Sequence, residues 1–129
     1  MKKISAYCLL FIIICLNSTG CSRNLKKDLQ FTIKMAVADV EILYEAELAE
    51  CPDPNNCPGA ERYREFADYG YALNGILDAG LTEDNKIGID QIFEYILSDL
   101  DVSDSDERAI KIMVKDAYLL YQLYAEEKE

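Results

Sequence analysis

Apolar residues recur at intervals of three and four through most of this chain, and that spacing leaves few architectures open. Leu29, Ile33, Ala36, Val40 and Leu43 form one such series, which a helix of about 3.6 residues per turn gathers on a single face. Tyr63, Phe66, Gly70, Leu73 and Leu77 form a second, and Ile92, Phe93, Ile96, Leu97 and Leu100 a third. Ile110, Met113, Val114, Ala117, Tyr121 and Tyr124 form the last. No segment alternates in the way a half-buried strand requires. The expected fold class is all-α, a single-domain bundle of about four helices with one short disulfide loop.

The breaks between these series fall at residues that stop helices. The first helix is expected from Leu25 to Glu50, about 39 Å long at 1.5 Å per residue, with Asp39, Glu41, Glu45 and Glu47 on its solvated side. Cys51-Pro52-Asp53-Pro54-Asn55-Asn56-Cys57-Pro58 then ends it, because proline cannot continue a helix and favours turns. Cys51 and Cys57 are expected to pair, a short closed loop contributing roughly 2 kcal/mol. Their spacing is not that of a CxxC redox site, and two thiolates without other soft ligands do not hold zinc. Pro58 suits the first turn of a second helix that stops at Gly80. Inside it Gly70 and Gly75 each cost about 1 kcal/mol against alanine, so both are expected at close helix approaches.

The third helix is expected to start at Asp90 as N-cap, after a connection from Leu81 to Gly88. An EF-hand register placed on Gly88 puts Ile87 at a ligand position, which excludes calcium there. No metal and no cofactor is expected anywhere. Ser103 with Asp106 fits a capping box for the last helix, roughly Asp104 to Glu127, and the acids Asp99, Asp101, Asp104, Asp106 and Glu107 suit its positive end. A second reading of the same run makes Asp99, Asp101, Ser103, Asp104 and Asp106 an exposed loop that binds a basic groove. Tyr118, Tyr121 and Tyr124, three apart, form either a bundle edge or a partly exposed ridge suited to an interface.

The N-terminus carries a different signal. Lys2 and Lys3 precede eleven uninterrupted apolar residues from Ala6 to Leu16 and then Ser18-Thr19-Gly20-Cys21. A basic start, a short apolar run and small residues before a cut describe an export signal, too short to span a bilayer core of about 30 Å. The segment resembles a bacterial lipoprotein signal, with Ser18 where leucine is usual. Ser18 and Gly20 also suit an ordinary signal peptidase. Residues 1–20 are therefore expected to be removed, and residues 21–129 to form the mature domain, with 21–28 as a tether. Cys8 and Cys15 leave with the signal, so an odd number of thiols remains, and acylation of Cys21 accounts for the unpaired one. Ser22 after that cysteine resembles outer-membrane sorting. The expected location is the bacterial envelope, periplasmic and lipid-anchored.

Loss of Lys2 and Lys3 takes the net charge from −11 to −13. Such a chain repels nucleic acid and favours basic partners. Histidine and tryptophan are absent, which removes Ser-His-Asp and Cys-His catalysis and most zinc sites. No pair of carboxylates is spaced for catalysis, and the chain is expected not to be an enzyme.

Gly70-Tyr71-Ala72-Leu73-Asn74-Gly75-Ile76-Leu77-Asp78-Ala79, Ile87-Gly88-Ile89-Asp90-Gln91-Ile92 and Tyr95-Ile96-Leu97 resemble the small all-helical periplasmic immunity proteins of type VI secretion. So do Ala109, Met113-Val114 and Ala117-Tyr118 in the closing helix. The resemblance spans about 50 residues. It implies a non-catalytic inhibitor of a secreted peptidoglycan hydrolase that places a loop in the enzyme's cleft, and a homodimer in some members. Exposure and charge then nominate Asp99 to Asp106 for the cleft and the tyrosine ridge for the dimer. The competing function is a structural or surface-exclusion lipoprotein whose long first helix spaces a small head from the membrane.

Overall fold

A computed structural model describes residues 24–128. The expected export signal, the expected lipidation site Cys21 and the start of the expected tether lie outside the described residues. Four helices follow in order: α1 (Leu25–Glu50), α2 (Pro58–Ala79), α3 (Glu83–Asp99) and α4 (Ser105–Lys128). The all-α bundle expected from the spacing is the architecture found. Asn24 caps α1 through the Lys27 N–H at 3.1 Å, and Leu25 to Asp28 form its first turn.

Each helix ends for a local reason. Cys51 is extended (φ −81°, ψ 128°), as the residue before a proline should be, and α1 stops there. Pro58 opens α2, and Gly80 closes it at φ 110°, a conformation that side-chain-bearing residues rarely adopt. The third helix corrects the sequence reading. It begins at Glu83, not after Asp90, because the Thr82 hydroxyl caps the Asn85 N–H at 3.1 Å and Glu83 and Asp84 complement the helix dipole. Asn85 also donates to the Gly80 carbonyl at 2.6 Å and ties the three-residue connection together. Asp90 is therefore mid-helix. The extra turns bring in Ile89, which is fully buried.

With short connections the helices run up and down in turn. The first helix packs against both α2 and α4, and α3 touches α2 and α4 on the far side. All the predicted stripe residues of α1, α2 and α4 are buried, and in α3 Phe93, Ile96 and Leu100 are buried while Ile92 and Leu97 are partly so. Leu29 to Leu43 of α1 thus belong to the core. Asp39 is buried rather than solvated, while Glu41, Glu45 and Glu47 are exposed. The described core runs from Leu29 to Tyr124. An apolar gap of about 30 Å³ sits among small residues such as Ala36, Gly70 and Ala117, and it offers a water no polar partner.

The two interior glycines of α2 separate. A Cβ on Gly70 would overlap Val37 Cγ2, so α1 and α2 approach there as closely as backbone allows. Nothing lies within 4 Å of a Cβ on Gly75, which is exposed, so the packing role expected of it is absent. Gly70→Ala should destabilise by about 1–3 kcal/mol, since β-branched Val37 has one favoured rotamer in a helix and cannot swing aside. Gly75→Ala should stabilise by about 0.5–1 kcal/mol. Denaturant unfolding of the two variants checks both signs.

Candidate functional site

The acidic run between α3 and α4 folds into a corner held by α2. Asp104, not Ser103, caps α4, its Oδ1 accepting from the Asp106 and Glu107 N–H groups at 2.9 and 3.0 Å. The expected Ser103–Asp106 box is therefore not formed: the cap lies one residue later, and the Asp104 N–H donates to the Asp101 carbonyl and not to Glu107. Ser103 instead donates its N–H (2.9 Å) and hydroxyl (2.7 Å) to Asp101 Oδ1, which lowers the Asp101 carboxyl pKa and keeps it ionised. Asp106 lies half-buried in the first turn of α4.

Behind the loop sits Glu107, only 6% exposed. Its carboxylate accepts four hydrogen bonds: Arg62 Nη1 to Oε2 at 2.9 Å, Arg62 Nη2 to Oε1 at 2.7 Å, Tyr63 OH to Oε2 at 2.9 Å and the Asp101 N–H to Oε1 at 3.0 Å. A carboxylate offers about four acceptor sites, so this one is saturated. Arg62 extends the network to Asp99, with Nε to Oδ2 at 3.1 Å and Nη2 to the carbonyl at 2.6 Å. Its guanidinium lies 4.9 Å from the centre of the Phe66 ring, a cation–π contact that adds to the two-pronged pair. One arginine on α2 thus joins the end of α3, the loop and the start of α4.

The electrostatics follow from this wiring. Burial alone would raise the Glu107 carboxyl pKa, but the donors from Arg62, the Asp101 N–H and Tyr63 outweigh it and the net shift is downward. Burial and then the Glu107 carboxylate push the Tyr63 phenol well up. Glu107 is therefore an ionised acceptor with no free lone pair, which suits a structural clamp and not a general base. Asp99 is drawn into the same clamp. Asp99 stays exposed within the clamp, and beyond it Asp101, Val102, Ser103 and Asp104 face solvent, with Val102 54% exposed at the tip.

The tyrosine ridge is not a surface. Tyr121 and Tyr124 are 3% and 8% exposed, and Tyr118 lies half-buried, its ring 4.9 Å from that of Phe93 and its hydroxyl donating to Asp90 at 3.0 Å. A spacing of three turns these rings progressively into the core, so they do not stand in line at its edge. The exposed tyrosines are Tyr71 and Tyr95, which donate to Glu41 and Glu65 at 3.1 and 3.0 Å. The network of Arg62, Tyr63 and Glu107 escaped the sequence reading, and the only local hint was an acid placed at the third position of the last helix.

Cys51 and Cys57 stand close together, with no sulfur–sulfur bond joining them in this structure, and the hydrogen bond between them is the main cause of a raised Cys51 pKa. Among the described residues no group of three or more potential ligands could hold a metal ion, and no described helix is long and apolar enough to cross a membrane. Comparison with known proteins returns no matching family model, no matching curated protein and no matching solved structure.

Two tests follow from the clamp. Arg62→Ala strands a buried carboxylate and should cost about 3 kcal/mol or more, whereas exposed Arg64→Ala should stay within about 0.5 kcal/mol by denaturant unfolding. The pH profile should fall on both sides. The Glu107 contribution is complete above the ordinary glutamate value of about 4.3 and is lost as pH falls towards its lower folded value. Tyr121, pushed up to about 12 mainly by burial, opposes unfolding fully below its ordinary value of about 10 and loses that effect as pH rises towards 12. Thermal melts against pH check both limbs, and Glu107→Gln should flatten the acid one.

Proposed function

We propose that this chain is a non-catalytic envelope binding protein, and specifically an immunity protein that blocks a secreted peptidoglycan hydrolase by seating the loop of residues 100–104 in a basic cleft. The observation that carries this reading is the state of the loop: it is acidic, exposed and already ordered by its own hydrogen bonds and by Glu107. A loop fixed before contact forfeits little entropy on docking. Asp101 and Asp104 supply the charge that steers towards a basic partner, and Val102 supplies the apolar tip. Asp99 and Glu107 hold the loop and do not touch the partner. The network that fixes it has no catalytic freedom, which fits an inhibitor.

The alternative, a structural lipoprotein whose long helix holds a head off the membrane, loses its main support because α1 is part of the core. The export signal and Cys21 remain part of the proposal and place the binding domain on a lipid anchor at the outer membrane.

The test is inhibition. Residues 24–128 should slow hydrolysis of purified peptidoglycan by the secreted hydrolase encoded beside this gene. Val102→Asp together with Asp104→Asn should weaken that inhibition by roughly a hundredfold, as expected when a central apolar contact is lost, while the melting temperature stays within a few degrees. Unchanged inhibition by the variant, or none by the parent, would overturn the assignment. Intact mass of the envelope-purified form should show residues 1–20 removed, lipid on Cys21, and Cys51 and Cys57 inaccessible to alkylation until reductant is added.

A further inference from the structure

The outer side of the seam between α2 and α3 carries an exposed aromatic ring set among carboxylates. Tyr95 of α3 is 42% exposed. Its ring leans on that of Tyr69 of α2, 5.2 Å between centres, and its hydroxyl donates to Glu65 Oε1 at 3.0 Å. The second oxygen of the Glu65 carboxylate takes no hydrogen bond among the described residues. At about 100° per residue Glu61, Asp68 and Glu94 lie on the solvent side of the same seam, and all three are exposed. None of these acids joins an ion pair among the described residues. Arg62 is spent on Asp99 and Glu107, and Arg64 stands about a quarter turn further round α2, away from α3. Along the seam from the ring the side chains become small. Ala72 follows Glu65 by seven residues and Gly88 precedes Tyr95 by seven, so in this antiparallel pair they border the same stretch two turns on. A Cβ on Gly88 would meet nothing within 4 Å, which leaves room for another main chain to lie close.

The chain itself contains the group that suits such a setting. About one turn from Glu65, Arg62 holds its guanidinium 4.9 Å from the centre of the Phe66 ring and gives its N–H groups to Asp99 and Glu107. Tyr95 and Glu65 repeat the ring and the carboxylate on the outside, and no cation of the described chain lies over that ring. A guanidinium is planar, stacks on an aromatic face and still directs N–H groups at a carboxylate, whereas an ammonium is a compact and more strongly hydrated point charge. The sign of the face selects further. An acidic partner would be repelled by it, and so would the same face of a second copy. What remains complementary is a basic segment.

We infer that the outer α2–α3 seam docks a basic segment of a protein partner, with an arginine side chain over the Tyr95 ring and paired with Glu65. Asp99 stays with Arg62 and adds charge without contact. The loop of residues 100–104 takes no part, so the inference does not depend on the function proposed above. The probe is a short acetylated peptide of alternating arginine and alanine, titrated into the isotope-labelled protein purified from the envelope while its resonances are followed. Saturable shifts should centre on Tyr69, Gly88 and Tyr95. Tyr95→Ala should weaken binding about fivefold and Tyr95→Phe less than about twofold, because the ring and not the hydroxyl makes the contact. Glu65→Gln should weaken it about threefold, a loss that shrinks in high salt. A lysine peptide of equal charge should bind about fivefold less tightly. Circular dichroism should show the helical content of every variant kept. Equal affinity for the two peptides would overturn the inference, as would shifts spread alike over remote acids such as Glu41 and Glu126, since charge alone would then explain the binding. Shifts confined to residues 100–104 would overturn it while leaving the loop as the docking point, and so would the absence of saturable binding.

Discussion

The bidentate pairing of Arg62 with Glu107 is the contact on which the order of the α3–α4 corner depends. Three helices converge there, and without it their polar ends would face one another across a gap with no common partner. Burying a carboxylate is unfavourable unless every acceptor site is filled, and here the arginine, a phenol and a backbone N–H fill them. The result is conditional stability: complete, the network fixes the loop, and short of one donor it becomes a liability in the core.

The acidity of the chain therefore has two parts with different physics. Along exposed faces such as Glu41 and Glu45 the acids are solvated and contribute mostly to the field that surrounds the molecule. Between Asp99 and Glu107 four of them, Asp99, Asp101, Asp104 and Glu107, are structural, each taking a backbone donor or a cation that the chain could not otherwise satisfy. Charge counts do not distinguish these uses. Hydrogen-bond partners do.

How much of this was legible in the sequence depended on the range of the interaction. Leu29, Phe66, Leu73 and Ile110 could be placed in the core because burial of a helix face repeats with the turn and needs no knowledge of the partner. Gly80 and Pro58 were legible because they act on their own backbone. The start of α3 was missed because Gly88 read as a loop residue and Asp90 as a cap, while Thr82, followed by two acids, was the stronger cap. Asp39 and the tyrosines from 118 to 124 were misjudged for a common reason: a polar tip says nothing about where the rest of the side chain lies. Arg62 could not be found at all, since its partner is 45 residues away and nothing in the local pattern of either residue announces the other.

The up-and-down course of the helices has a geometrical consequence. Asn24 and Lys128 leave the bundle at one end, while the Cys51–Cys57 turn and the loop from Leu100 to Asp104 lie together at the other. The two ends of the bundle therefore differ: one carries both ends of the described chain, and the other carries the acidic corner, separated from it by the length of α1, about 39 Å. A load applied at Asn24 runs along the α1 axis and is shared with α2 and α4, which both pack against it, so the acidic corner moves with the bundle and does not bend away from it.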